Sequence, residues 1–242
     1  MTGTARTAVS IVAAELREQI LDAVLAPGSA LREEALTEQF GVNRHTVRAA
    51  LQQLAAQRLV DFVPYRGARV RAFSDDDIRA LMEYRTALEA EAVRLLQART
   101  ATPDAAAGTP GGVAGSPDAA AGTPGAVVDI PAAVHAANDE LRAICAARPD
   151  DHRAIERTHA RLHHTLVASA GSPRLTEAHA GLESELLLFL NQLRPLLPAP
   201  EMAEQHDRLL QSIRTRGDAA IREHLAHSAA QLTALHAAAP AP

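Results

Sequence analysis

Apolar positions recur at helical spacing from the start of the chain. Val9, Val12, Leu16, Ile20 and Val24 form one stripe over residues 9–25, and Pro27-Gly28 ends it. A short helix is predicted over 33–40, a turn at Gly41, and a helix over 44–57. Asn43 stands at that helix's N-cap position, and Val47, Ala50, Leu51 and Leu54 share one of its faces. The period then drops to two. Val60 and Phe62 alternate with Asp61, and beyond Pro64-Tyr65-Arg66-Gly67 the residues Ala68, Val70 and Ala72 alternate with Arg69 and Arg71. That is a β-hairpin. Three helices and a hairpin within residues 1–73 make a winged helix-turn-helix domain.

From Ser74 onward the pattern is wholly helical. Ser74 and Asp77 form a capping box, with Asp75 and Asp76 beside the positive end of the helix dipole. Ile78, Leu81, Met82, Leu88, Ala92 and Leu96 carry this helix to about residue 99. Further helices are predicted over 132–147, 151–170, 173–194, 200–215 and 219–238, giving a bundle of about six. The fold class is mainly α, with an all-helical domain over 74–242. Residues 101–131 interrupt it. They contain PDAAAGTPG twice, at 103–111 and 117–125, with almost no charge and little to bury, and are expected to be a disordered insertion.

Composition supports helix packing over a β-sandwich: 47% of residues are hydrophobic but only 2% aromatic, and there is no Trp. The net charge of −5 speaks against a nucleic-acid binder until its distribution is seen. Residues 1–73 hold nine Arg against seven carboxylates, and the remainder 15 Arg against 22. A mildly basic head on an acidic body suits local phosphate contact. The one cysteine, Cys145, lies among apolar residues and reads as a buried structural thiol. With no signal-peptide pattern and no apolar run of about 18 residues, a cytoplasmic protein without membrane contact is expected.

Two constellations carry candidate chemistry. Arg44 and Arg48 lie four apart on one face of the 44–57 helix, and Asn43, His45 and Thr46 stand at its exposed start, where a recognition helix meets base edges. Arg66 and Gly67 mark the hairpin tip, and Arg32 begins the preceding helix. The reading is double-stranded DNA. Each Arg taken alone is as readily ordinary surface.

The second constellation is histidine. Ten of 11 His lie beyond residue 130. His159 and His163 form an i, i+4 pair within an apolar stripe, and His206 sits on the apolar face of Met202, Leu209, Leu210 and Ile213. His227 lies near the apolar face of the last helix, with His224 one turn earlier. An i, i+4 pair places two imidazoles on one ion, and neighbouring helices can add the rest. The expected ligands are His159, His163, His206 and His227, with His224 as the alternative to His227. His135, His152, His179 and His236 read as satisfied core histidines. An all-His set carries no ligand charge, which favours Zn²⁺ or Ni²⁺ over Mg²⁺ and an anionic effector. Arg85 either holds an effector carboxylate or pairs with Glu89. A metal-dependent hydrolase is the competing function, since catalytic zinc also uses His ligands, but the one candidate general base, Glu156 a helical turn from His159, is only weakly placed for that role.

The stretch Pro27-Gly28-Ser29-Ala30-Leu31-Arg32-Glu33, the stretch Phe40 through Leu51, Arg58-Leu59-Val60 and Tyr65 through Val70 together resemble the GntR family. That family's usual Ser-Arg-Thr-Pro-Val-Arg stands here as Asn43-Arg44-His45-Thr46-Val47-Arg48. The resemblance implies a homodimer on an inverted-repeat operator, with Arg44 and Arg48 touching DNA. The rear portion resembles the FCD ligand-binding domain of FadR-type members, through Glu83–Glu89, Leu162-His163 through Leu175, Gln205–Leu210, and Ala220, His224 and His227. It implies a regulator, most simply a repressor and not an enzyme, gated by a small carboxylate bound at a metal. Many such relatives carry Asp where this chain has His159.

Overall fold

The computed structural model describes residues 7–101, 127–193 and 197–238. They divide into two compact units: Met1–Ser74 with Gly181–Arg194, and Asp75–Ala180 with Pro195–Pro242.

In the first unit, helix α1 (Ala8–Leu21) is opened by Thr7, whose hydroxyl accepts from the Ser10 N–H. Val12, Leu16 and Ile20 bury its inner stripe against α3 (Arg44–Ala56), which returns Val47, Ala50, Leu51 and Leu54. The apolar stripe overshoots the helix. The chain leaves the helix at Asp22, Ala23 takes φ 58°, and Val24 is 72% exposed. Helix α2 (Glu33–Phe40) ends on Gly41 at φ 62°, the left-handed conformation that glycine adopts without a Cβ penalty. Asn43 then opens α3 by accepting the Thr46 N–H at 2.9 Å.

The expected hairpin is β2 (Val60–Val63) and β3 (Gly67–Val70). A third strand, β1 (Ala30–Leu31), joins the far side of β3, giving the antiparallel order β1-β3-β2 with Ala30 opposite Arg69 and Asp61 opposite Arg69. Two residues are too few to show an alternation, so no pattern announced it.

The second unit holds α4 (Asp75–Ala101), α5 (Ala132–Ala147), α6 (His152–Ser169), α7 (Pro173–Ala180), α9 (Ala199–Arg216) and α10 (Asp218–Ala238). Helix α4 lies along α10 and crosses α6, while α5 packs on α6 and α9. Its core is aliphatic: Ile78 and Val93 of α4, Val134 and Leu141 of α5, Leu166 and Val167 of α6, Ile213 of α9 and Ile221 of α10. No described helix is long and apolar enough to cross a membrane.

Two expectations are corrected here. The stretch 173–194 is two helices, because Gly181-Leu182 form a turn before α8 (Glu183–Leu193). Helix α8, within the span 74–242 expected for the rear domain, packs with the first unit. Asn191 Nδ2 donates to the Leu21 carbonyl at 2.9 Å, Arg17 donates to Ser184 at 3.0 Å, and buried Glu185 lies 3.6 Å from Arg58 and 3.9 Å from Arg71. Phe189 meets Phe73 edge to face at 6.1 Å.

The second correction concerns the insertion. Residues 102–126 lie outside the described residues, but Ala101 closes α4 and 127–131 are packed. Val128 and Ile130 are buried, and the Val128 N–H donates to the Arg214 carbonyl at 2.9 Å. Val128 and Ile130 alternate with exposed Val127 and Asp129, a short signal hidden by the repeat's composition.

Candidate metal centre and nucleic-acid interface

Helix α6 presents His159 and His163 one turn apart on its buried face. Helix α9 adds His206 and α10 adds His224. Each of the four offers a ring nitrogen, and these atoms all lie within 4.8 Å of one another. His227, expected as the fourth ligand, is exposed. The register of α10 explains the correction. The helix begins at Asp218, directly after Gly217, so Ala220, Ile221, His224 and Leu225 share its inward face and His227 falls outside it.

The tautomers follow from the partners. His163 Nδ1 is 2.7 Å from a carboxylate oxygen of Glu89, and His206 Nδ1 is 2.7 Å from the Met202 carbonyl. Both partners only accept, so both Nδ1 atoms carry hydrogen. Burial, the largest influence, pushes both imidazoles below the ordinary histidine range, His206 to about 3, so both rings are neutral at pH 7. Each Nε2 therefore holds a bare lone pair, and the two Nε2 atoms face each other at 3.2 Å. Two such lone pairs repel unless a cation lies between them. Ligands about 2.05 Å from a tetrahedral zinc stand roughly 3.3 Å apart, which matches this spacing. His159 Nδ1 is buried with no hydrogen-bond partner among the described residues, a further donor left for an ion. Burial also lowers the His159 and His224 values, which keeps the remaining rings neutral and fit to coordinate. The residues present thus fit a bound metal ion.

Glu89 organises the outer shell. Burial alone would raise its pKa, but the Arg85 guanidinium and His163 hold it well below the usual carboxylate range. One oxygen accepts from His163. The other lies 2.8 Å from Arg85 Nε and 3.3 Å from His179 Nε2. This carboxylate–histidine arrangement fixes ring orientation and raises ligand basicity. Of the two roles left open for Arg85, pairing with Glu89 is the one the structure shows. His179 proves to be part of the network, buried on Glu89. The signal for Glu89 was an acid one turn from Arg85 on a face whose other buried residues, Leu81, Met82, Ala92 and Val93 among them, are apolar.

In the first unit, α3 carries Arg44 and Arg48 with 61% and 53% of their side chains exposed. His45 is exposed at the same end. Asn43 and Thr46 are engaged with each other, Thr46 Oγ1 donating to Asn43 Oδ1 at 3.2 Å, so both shape the helix start. Glu33 of α2 binds Arg48 through both carboxylate oxygens at 2.9 Å and lies 3.8 Å from Arg44. At the hairpin tip Tyr65 is fully exposed at φ 63°, beside Arg66 and Gly67. A groove of about 400 Å³ runs between the hairpin and the start of α2, lined by Arg32, Glu33, Phe62, Arg66 and Arg69 among others. Arg69 also lines this groove, a position the sequence reading did not single out. Its outward register opposite Asp61 was legible in the strand alternation, and its guanidinium donates to the Gly28 carbonyl at 2.9 Å.

Two stretches of the chain match known families. Residues 9–70 match the family described as "Bacterial regulatory proteins, gntR family", and residues 120–231 match the FCD domain. The chain carries a GntR-family helix-turn-helix domain followed by an FCD domain. The HTH-type regulator BphR of Paraburkholderia xenovorans is 40% identical over 89 residues, 37% of this chain and 36% of that protein. The first relatives of this kind are each matched over about a quarter to two fifths of their length. A probable D-xylose utilization operon transcriptional repressor of Paenarthrobacter nicotinovorans is 25% identical across 92% of this chain and 88% of that one. Among solved structures, a GntR protein from Rhodococcus sp. RHA1 superposes with a TM-score of 0.64 at 22% identity, covering 93% of this chain and 97% of that one, which supports the fold. These GntR relatives are named as regulators, not enzymes.

Proposed function

We propose that this GntR-family protein is a transcription regulator, most simply a repressor, that binds double-stranded DNA through α3 and the hairpin and is gated at the four-histidine centre. The observation that supports the gating half is the four-histidine cluster, in which the Nε2 atoms of His163 and His206 face each other at 3.2 Å, a spacing suited to a shared cation. FCD domains commonly bind metal. His159, His163, His206 and His224 would hold the ion, and an uncharged nitrogen set suits Zn²⁺ or Ni²⁺. When bound, the metal supplies a Lewis-acidic position for a carboxylate. Arg85, already anchored on Glu89, adds positive charge beside it, so a small carboxylate metabolite is the effector class.

On the DNA side, Arg44 and Arg48 face base edges. His45 stands beside them, Asn43 and Thr46 set the helix start, and Arg32, Arg66 and Gly67 meet phosphates or the minor groove. A homodimer on an inverted-repeat operator, in the cytoplasm, completes the reading. The test is Arg48→Ala. Operator affinity should fall about 5- to 150-fold, the range for one bidentate base contact, with metal content and melting unchanged. Unchanged operator affinity would remove α3 from the interface. A screen of small carboxylates against the zinc-loaded protein on its operator should find acids that alter DNA affinity. A response equal in His163→Ala would remove the metal site from the gating.

A further inference from the structure

The proposed DNA face contains a carboxylate. Glu33, the first residue of α2, sits against the two arginines expected to read bases, and a negative charge there repels phosphates. Its geometry gives it a use. A guanidinium has two edges able to make paired hydrogen bonds: one formed by Nε and one terminal nitrogen, the other by the two terminal nitrogens. Glu33 takes the first edge of Arg48, with Oε1 on Nε and Oε2 on Nη2, both at 2.9 Å. The second edge is left facing away from the carboxylate, and it is the edge that can bind guanine O6 and N7 end-on. Hydrogen bonding to Arg48 holds Glu33 below the ordinary glutamate range, and the carboxylate lies at the positive end of α2, so it stays ionised at the pH of DNA binding.

We propose that Glu33 is a specificity-determining residue: it presents the free edge of Arg48 to a base pair and keeps Arg48 and Arg44 from settling on phosphates. A free arginine takes phosphate and base equally well. One edge pre-bound to a carboxylate favours the base, because a phosphate brings a full negative charge toward Glu33 while a guanine edge brings only acceptor dipoles. Glu33 therefore lowers affinity for arbitrary DNA more than for the operator. This rests on the proposal that α3 reads DNA.

The experiment uses the full-length protein with an operator enriched from a randomised duplex pool and a scrambled duplex as the non-specific probe. For Glu33→Gln the ratio of operator to scrambled affinity should fall about tenfold or more, within the discrimination of one bidentate contact. Scrambled-duplex binding should tighten, and its salt dependence should steepen by about 0.9 in log–log slope as one arginine moves to a phosphate. Glu33→Ala should behave alike. Melting should hardly change, since an exposed ion pair contributes little. Operator and scrambled affinities that move together, leaving the ratio within about twofold, would overturn the role of Glu33 while leaving the DNA reading intact. A wild-type chain that enriches no sequence would overturn both.

Discussion

Replacing Glu89 with Gln keeps the shape of the network behind the four-histidine cluster and removes its charge. In the native protein one carboxylate accepts from His163, Arg85 and His179 at 2.7, 2.8 and 3.3 Å, with no solvent exposure. The amide leaves Arg85, itself 2% exposed, as a buried cation without its counter-charge. Breaking a buried pair from one side costs about 3–5 kcal/mol. For a unit of this size that lowers the melting temperature by roughly 6–20 °C. The amide keeps a single acceptor oxygen, so either His163 Nδ1 or Arg85 Nε is left facing an NH2 donor; where that is His163, loss of such an outer-shell partner weakens metal binding about 10- to 100-fold. Competition against a chromogenic zinc chelator, with calorimetric melting of the metal-free protein, reads both effects. A Glu89→Gln protein that holds zinc as tightly as wild type would refute the claim that this carboxylate organises the ligands.

The same buried imidazoles predict an acid response. All four titrate below the ordinary histidine value, so the unfolded chain takes up protons before the folded one does. Stability of the metal-free second unit is then complete above about pH 6.5 and declines as pH falls below it; flat stability between pH 7 and 5 in chemical denaturation would contradict this. Glu185→Ala should loosen the first unit by leaving Arg71 without its buried carboxylate. Hydrogen exchange of the α1 and α8 amides should quicken about fivefold or more while α5 and α6 are unaffected, and equal change in both units would show that α8 does not belong to the first.

The sequence carried the helices of both units because their stripes are long and their punctuation is strong: Gly41 and Asn43 between α2 and α3, Gly217 before α10. It was poorest where few residues decide. Strand β1 has two residues, and the break at Gly181-Leu182 lies inside an apolar run. Where α8 packs is a property of tertiary contact that its own periodicity does not encode. At the histidine cluster, three members were legible from their place on apolar faces. The fourth turned on the register of α10, where His224 and His227 lie only three residues apart and the point at which the helix begins decides which one faces inward. Glu89 and His179 matter through each other, and no spacing along the chain links residues 90 positions apart.

Metal analysis of three dialysed, zinc-loaded proteins tests the centre most directly: wild type, His224→Ala and His227→Ala, by mass spectrometry of the bound ion. Wild type and His227→Ala should each retain one ion per chain, and His224→Ala should lose it. Wild-type protein without a stoichiometric ion, or loss on His227→Ala with retention on His224→Ala, would contradict the four-histidine centre described here.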